Sequence, residues 1–254
     1  MYNTNNILNG KVALAGDKSI VHRLLMIGSL LEGECIVDNI SFCDDVKSTI
    51  DCLRDCNVNI NIYNNAAYIV GGNLISPQKD LNCKNSGTTA RLLLGLLSGQ
   101  NISAKLIGDK SLSKRPMSRI IKPLIAAGAN IESNKNRLPI TIVSGIKKPI
   151  IYKNKTKSAQ VKSSLILSAL GLSNQSCIAF NKSTRDHLER ILIHLNFDVR
   201  INAAIYVEKL LKNNIQFNVY APGDISNASF LIVAALIIPG SKIEIENVLY
   251  NKTR

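Results

Sequence analysis

Apolar residues in this chain are gathered into a few long runs, each led by glycine, acidic or hydroxyl-bearing residues. "SIVHRLLMIGSLLEG", "GTTARLLLGLLSG", "AQVKSSLILSALGLS" and "ISNASFLIVAALIIPG" have helical length and are apolar on nearly every face, so they predict helices buried inside a domain. "SLILSALGL" is the extreme case. More polar stretches follow the first three runs: "DDVKSTIDCLRDC", "PMSRIIKPLIAAGA" and "RDHLERILIHLNF" predict amphipathic helices. Short segments rich in β-branched residues ("CIVDNI", "VNINIY", "AYIVGG", "ISAKLIG", "NIESN", "LPITIV", "CIAFN", "VRINA", "AIYVEK", "KIEIENV") predict strands.

Aligned on their leading helices, these elements repeat. Helix starts near residues 18, 86, 158 and 224 give intervals of 68, 72 and 66 residues. The unit is helix, strand, helix, strand, strand, entered through an extended stretch such as "KVALAG". The class is therefore α/β with mixed sheets, in repeated βαβαββ units. Each copy opens with cap-forming residues: "DKS", "NSGTT", "KSAQ", "GDIS". Taken singly these are ordinary N-caps. Three units packed around a pseudo-threefold axis would bring their helix starts together, and the free N–H groups would form an anion-binding surface.

Composition narrows the function. A chain of 254 residues with 46% hydrophobic content builds a real core. The net charge of +13 fits either nucleic acid or a small substrate with several negative charges. Aromatics are only 5% and Trp is absent, which disfavours a stacking surface for RNA, so no nucleic-acid partner is expected. The cysteines at 35, 43, 52, 56, 83 and 177 form no C-x-x-C pair and have no histidine at ligand spacing. Reduced thiols and no metal are expected. "MYNTNNILNG" lacks a signal-peptide core, and the longest apolar run, "FLIVAALII", has nine residues, too few to cross a bilayer as a helix. A soluble, cytoplasmic protein without a membrane partner is the simplest reading.

The stretch "GDKSIVHR" sharpens the anion argument. Lys18, Ser19 and Arg23 share roughly one face at a helix start, where the dipole already favours negative charge. A solvated helix start would explain any one of them alone.

Five motifs in fixed order, "GDKSIVHR", "NSGTTARLL", "GDKSLSKRPM", "SAQVKSSLILSAL" and "PGDISNASF", resemble the 5-enolpyruvylshikimate-3-phosphate synthase (3-phosphoshikimate 1-carboxyvinyltransferase) family over the whole chain. The resemblance implies the enolpyruvyl transferase fold, with six units in two domains, of which this chain holds three and the opening of a fourth. Residues 17–221 would be the complete central domain. Residues 1–16 would be a strand segment of the second domain and 222–254 its resumption, leaving that domain incomplete.

The implied reaction moves the carboxyvinyl group of phosphoenolpyruvate to the 5-hydroxyl of shikimate 3-phosphate, without a cofactor and in a monomer. Lys18 would contact both substrates and transfer a proton, a role suited to an amine of lowered pKa. The resemblance assigns Lys18, Ser19, Arg23, Ser158, Ala159, Gln160 and Arg185 to shikimate 3-phosphate. It assigns Lys18, Asn85, Gly87, Arg115 and Gln160 to phosphoenolpyruvate.

Two positions depart from the family pattern. Ala159 replaces a second serine found in some members, and His187 stands where others have a tyrosine that stacks under the shikimate ring. The acid for the 5-hydroxyl proton and the remaining phosphoenolpyruvate contacts belong to the family's C-terminal half, and Asp224 is not read as that acid. UDP-N-acetylglucosamine 1-carboxyvinyltransferases share the fold, but they carry asparagine after the first lysine and a cysteine before the R-P pair. Here Ser19 follows Lys18, and "GDKSLSKRP" has no cysteine. A non-catalytic anion-binding fragment and an RNA-end-processing protein are readings of a different class.

Overall fold

The structure, a computed structural model, describes residues 7–153, 157–180, 184–210 and 215–253. Part of the expected N-terminal segment, residues 1–6, lies outside them, as does residue 254.

Four leading helices follow from the apolar runs: α1 (Lys18–Gly28), α3 (Gly87–Gly99), α5 (Ala159–Ala169) and α7 (Ile225–Ile237). Each begins at a residue whose side chain accepts a backbone N–H of the first turn. Asp17 takes Ile20 N at 3.0 Å, Ser86 takes Thr89 N at 3.1 Å, Ser158 takes Val161 N at 3.4 Å and Asp224 takes Ser226 N at 2.8 Å. The amphipathic helices α2 (Asp44–Asp55), α4 (Ser118–Ala126) and α6 (His187–His194) have no such side-chain cap.

Three sheets repeat one topology. In the first unit β2 (Glu34–Asp38) pairs antiparallel with β4 (Ala66–Val70), which pairs antiparallel with β3 (Asn59–Tyr63). The second unit repeats this with β6 (Ala104–Ile107), β8 (Arg137–Ser144) and β7 (Asn130–Asn134). The third uses β10 (Ser176–Ala179), β12 (Ile205–Val207) and β11 (Val199–Ile201). A short strand ahead of the leading helix adds a parallel edge: β5 (Leu81–Asn82) on β6, and β9 (Ile151–Lys153) on β10.

The first unit obtains its edge differently. β13 (Phe217–Tyr220), from the far end of the third unit, lies parallel to β2 with Phe217 opposite Cys35. β1 (Asn9–Ala13) instead runs parallel to β14 (Lys242–Glu246), which follows α7. The two connections cross at a bridge between Gly16 and Gly223. Asp17 N donates to Pro222 O at 2.7 Å and Asp224 N to Ala15 O at 3.1 Å. A side chain at Gly16 would collide with the Asn39 carbonyl and Ala221, so the crossing requires glycine there.

At the centre α3 and α5 lie backbone against backbone. A Cβ at Gly95 would fall inside the Ser164 carbonyl oxygen, and one at Gly99 inside that of Ser168. Ser164 Oγ donates to Arg91 O at 2.8 Å and Ser168 Oγ to Gly95 O at 2.9 Å, so the serines of "SSLILSAL" bond across the seam instead of wasting their hydroxyls. Val161 to Ala169 are all buried. All six cysteines are free thiols.

Several boundaries differ from the pattern. The apolar run of the first unit predicts helix to residue 33, but α1 ends at Gly28 because Gly72 N takes the Ser29 carbonyl at 3.0 Å and Ser29 Oγ turns back to Met26 O. α7 is helical as expected, yet only Ala228 on it is buried; Phe230, Leu236 and Ile237 are more than 70% exposed.

A polar chain runs through the core beside the seam. His22 Nδ1 lies 2.7 Å from Thr49 Oγ1, which lies 2.7 Å from Thr89 Oγ1; Thr89 reaches the Ser86 hydroxyl and the Asp45 carbonyl. These contacts tie together the N-terminal halves of α1, α2 and α3. Burial strips His22 of hydration, and with Arg23 and Lys18 nearby its pKa falls to about 3.

Two predictions follow from this packing. Gly95→Ala should lower the unfolding free energy by roughly 1–3 kcal/mol in urea titrations, as overpacking at an unyielding backbone contact does; a loss below about 0.5 kcal/mol would show that the seam yields. The unfolded chain protonates His22 near pH 6.5, about the ordinary value, whereas the folded chain resists until about pH 3. Stability is therefore full above about pH 6.5 and falls as the pH drops toward about 3, by up to about 1.4 kcal/mol per pH unit. Urea midpoints over that range should fall less steeply for His22→Asn; parallel curves would contradict the assignment.

Candidate functional site

The starts of α1, α3 and α5 face one cleft of about 430 Å³, lined by Lys18, Ser19, Arg23, Thr88, Ala159, Gln160 and Arg185. Ser41, Cys43, Asp224, Ser226 and Asn227 complete its wall. Three helix starts and the side chains of Lys18, Arg23 and Arg185 thus border one space, an arrangement suited to oxyanions even though the Asp17 carboxylate caps α1.

Lys18 is anchored through its backbone, whose N–H donates to Asp224 Oδ2 at 3.2 Å, so the cap of α7 also fixes the start of α1. Its ammonium bonds Asp45 Oδ2 at 2.9 Å while remaining half-exposed. That hydrogen bond, against partial burial, holds the Lys18 pKa above the usual lysine value, and the Asp45 charge adds to it. The expectation of an amine with lowered pKa is corrected here: the carboxylate from α2 wins, and Lys18 is a firm ammonium.

Arg23 is almost fully buried, with its guanidinium committed on two sides. Nη1 donates to the Ser19 carbonyl and hydroxyl, each at 2.7 Å, and Nη2 to Ser163 Oγ at 2.8 Å. Arg23 therefore ties α1 to α5 and fixes Ser19 at the cleft wall. His187 Nδ1 sits 3.1 Å from Ser19 Oγ, and its ring is buried instead of lining the cleft. The imidazole supports Ser19 from beneath and offers no face to a ligand in the cleft. Asp17 Oδ1 approaches the same ring nitrogen at 3.9 Å, so Asp17, His187 and Ser19 do not form a relay through two nitrogens.

A second group adjoins the cleft. Arg115 Nη2 donates to Asn85 Oδ1 at 2.8 Å, and Asn85 Nδ2 donates to Asp109 Oδ2 at 2.7 Å. Asp109 also accepts Leu112 N at 2.7 Å, which rigidifies the "GDKSLSKRP" loop carrying Arg115 and holds the Asp109 carboxyl below the ordinary range. A Cβ on Gly87 would come within 2.7 Å of Arg91 Nη1 and 3.3 Å of Arg115 Nη1, so only glycine lets both guanidiniums approach. Burial, together with the Arg115 charge, lowers the Arg91 pKa.

Gln160 joins the two groups: its Oε1 accepts from Arg91 Nη1 at 2.9 Å and its Nε2 donates to Thr88 Oγ1 at 3.0 Å. Of the residues singled out in the sequence, Lys18, Ser19, Arg23, Ala159, Gln160 and Arg185 line the cleft. Asn85, Gly87 and Arg115 form the adjoining cluster, and Ser158 caps α5 with its hydroxyl.

Sequence reading missed Arg91, although it lies one helical turn after Gly87 inside a quoted motif. Asp45 and Ser163 carry no local signal, because their partners come from other helices. Among the described residues no three His, Cys, Asp or Glu side chains are grouped to hold a metal, and no helix is long and apolar enough to cross a membrane.

Similar proteins of known family are found along nearly the whole chain. The chain is 42% identical over 260 residues to a 3-phosphoshikimate 1-carboxyvinyltransferase of Petrotoga mobilis, covering 99% of this chain and 60% of that protein. It is 39% identical over 252 residues to one of Geobacillus kaustophilus, covering 97% and 59%. EPSP synthase from Acinetobacter baumannii superposes with a TM-score of 0.88 at 36% identity, over 98% of this chain and 58% of that one. The chain thus spans about 60% of the length of the curated relatives it matches. A family model for EPSP synthase (3-phosphoshikimate 1-carboxyvinyltransferase) matches residues 2–254, and the chain belongs to that family.

Proposed function

We propose that this chain supplies the shikimate 3-phosphate side of a carboxyvinyltransferase that moves the enolpyruvyl group of phosphoenolpyruvate to the 5-hydroxyl of shikimate 3-phosphate, releasing phosphate. The observation that carries this reading is the single cleft into which three helix starts bring Lys18, Ser19, Arg23, Ala159, Gln160 and Arg185. Ser19, the Ala159 and Gln160 starts of α5, and the Arg185 guanidinium, which has no partner among the described residues, are groups that suit a phosphate monoester. Ser158 assists by fixing the helix start that carries them.

Asn85, Gly87 and Arg115 border the phosphoenolpyruvate side, with Arg91 and Gln160 between the two halves. Lys18 reaches both. As an ammonium held by Asp45 it is suited to give a proton as the 5-hydroxyl oxygen adds to C2 of phosphoenolpyruvate, and to balance phosphate charge. Residues 17–221 form the domain carrying these groups. β1 and residues 222–254 belong to a second unit that packs through β14, and the cytoplasmic, monomeric state expected of the family fits the reading.

Calorimetric titration of the 254-residue chain with shikimate 3-phosphate should show weak saturable binding, with phosphoenolpyruvate binding barely detectable. Lys18→Met should weaken shikimate 3-phosphate binding about tenfold while changing the unfolding free energy by less than about 1 kcal/mol, as loss of a half-exposed ion pair does. Phosphate release should be undetectable, because alignment of both substrates needs groups from both sides of the cleft. No binding of shikimate 3-phosphate, or robust turnover by this chain alone, would overturn the reading.

A further inference from the structure

Lys162 is fully buried, an unusual position for a lysine. It lies on α5 two residues after Gln160, and its ammonium is ion-paired with Glu189 on α6, itself 2% exposed. Burial pushes the Glu189 carboxyl up, and the Lys162 charge opposes the shift. An apolar pair of similar shape would serve the fold at least as well, because desolvating two charges offsets much of their attraction. The pair therefore calls for an explanation beyond packing.

One lies in the other contacts of the ammonium. Nζ donates to the Thr184 carbonyl at 3.4 Å and sits 4.5 Å from the centroid of the Phe180 ring. Lys162 thus holds the chain both where it leaves β10 and where it arrives at Arg185. Arg185 lines the cleft, yet its exposed side chain has no hydrogen bond or ion pair among the described residues. What fixes it is backbone on either side. Beyond it, Asp186 N donates to Thr253 Oγ1 at 3.2 Å, and the Asp186 carboxylate accepts from Asn251, Thr253 and Arg190. Before it, Lys162 tethers Thr184 from the same helix as Ala159 and Gln160.

We propose that Lys162, locked by Glu189, is a positioning residue that sets the spacing between Arg185 and the start of α5 so that both engage one phosphate. This rests on the reading of the cleft as the shikimate 3-phosphate site. The long lysine side chain reaches from the core of α5 to the Thr184 carbonyl, and the buried Glu189 carboxylate beside it holds it aimed there.

The test is a mutant cycle read by calorimetry with shikimate 3-phosphate. Arg185→Ala in the intact chain should weaken binding about tenfold or more, as loss of a charge-assisted contact does. The apolar pair Lys162→Met with Glu189→Leu should leave the chain folded but weaken binding by a similar factor. Adding Arg185→Ala to it should then cost less than about threefold. A pair that only supports the fold would leave the Arg185→Ala loss undiminished in that background, and this result would overturn the proposal. If the apolar pair does not fold, Lys162→Gln with Glu189→Gln, too short to reach Thr184, takes its place under the same criterion. Failure of both to fold would also refute the proposal, since the pair would then carry the fold and not the position of Arg185. No loss from Arg185→Ala in the intact chain would instead refute the reading of the cleft.

Discussion

The seam between α3 and α5 constrains everything around it. Gly95 and Gly99 let two backbones touch, and Ser164 and Ser168 satisfy the hydroxyl and carbonyl groups that such contact would otherwise strand. With the two helices this close, their N-termini open side by side, and Gln160 on one reaches Thr88 and Arg91 on the other. α1 joins them through Arg23, whose guanidinium spans from Ser19 to Ser163. The anion-binding role proposed for the cleft rests first on how the core packs, which sets these helix starts side by side.

That dependence explains why the fold was largely legible in the sequence. The leading helices are apolar on all faces because they are internal, and their caps are Asp or Ser because each start must be satisfied as it converges on the others. The spacing of the runs exposed the repeat. Three features were not legible. β5, β9 and β13 are short edge strands of two to four residues that fall outside the repeating unit read from the sequence. The exchange by which β13 closes the first sheet while β1 leaves it for β14 is a choice of partner that neither strand's own residues record; only the family resemblance implied that residues 1–16 join residues 222–254. The early end of α1 depends on Gly72, forty-four residues beyond Gly28.

The candidate site divides in the same way. Residues that sit in helix starts and face the cleft directly, Lys18, Ser19, Gln160 and Arg185, could be singled out from motif and chemistry. Residues that set their properties could not. Asp45 reverses the expected pKa shift of Lys18 from a different helix, and His187 goes beneath Ser19 because α6 packs on α1. Arg91 lay in plain view, one turn after Gly87, and its approach is what leaves no space for a Cβ there.

Converged helix starts, not scattered surface cations, make the proposed anion site. A crystal of the 254-residue chain soaked in selenate and measured at the selenium edge tests it directly. One dominant anomalous peak should lie within hydrogen-bond distance of Ser19 Oγ, the first N–H groups of α5 and the Arg185 guanidinium. A dominant peak on surface lysines, with the cleft empty at saturating selenate, would contradict it.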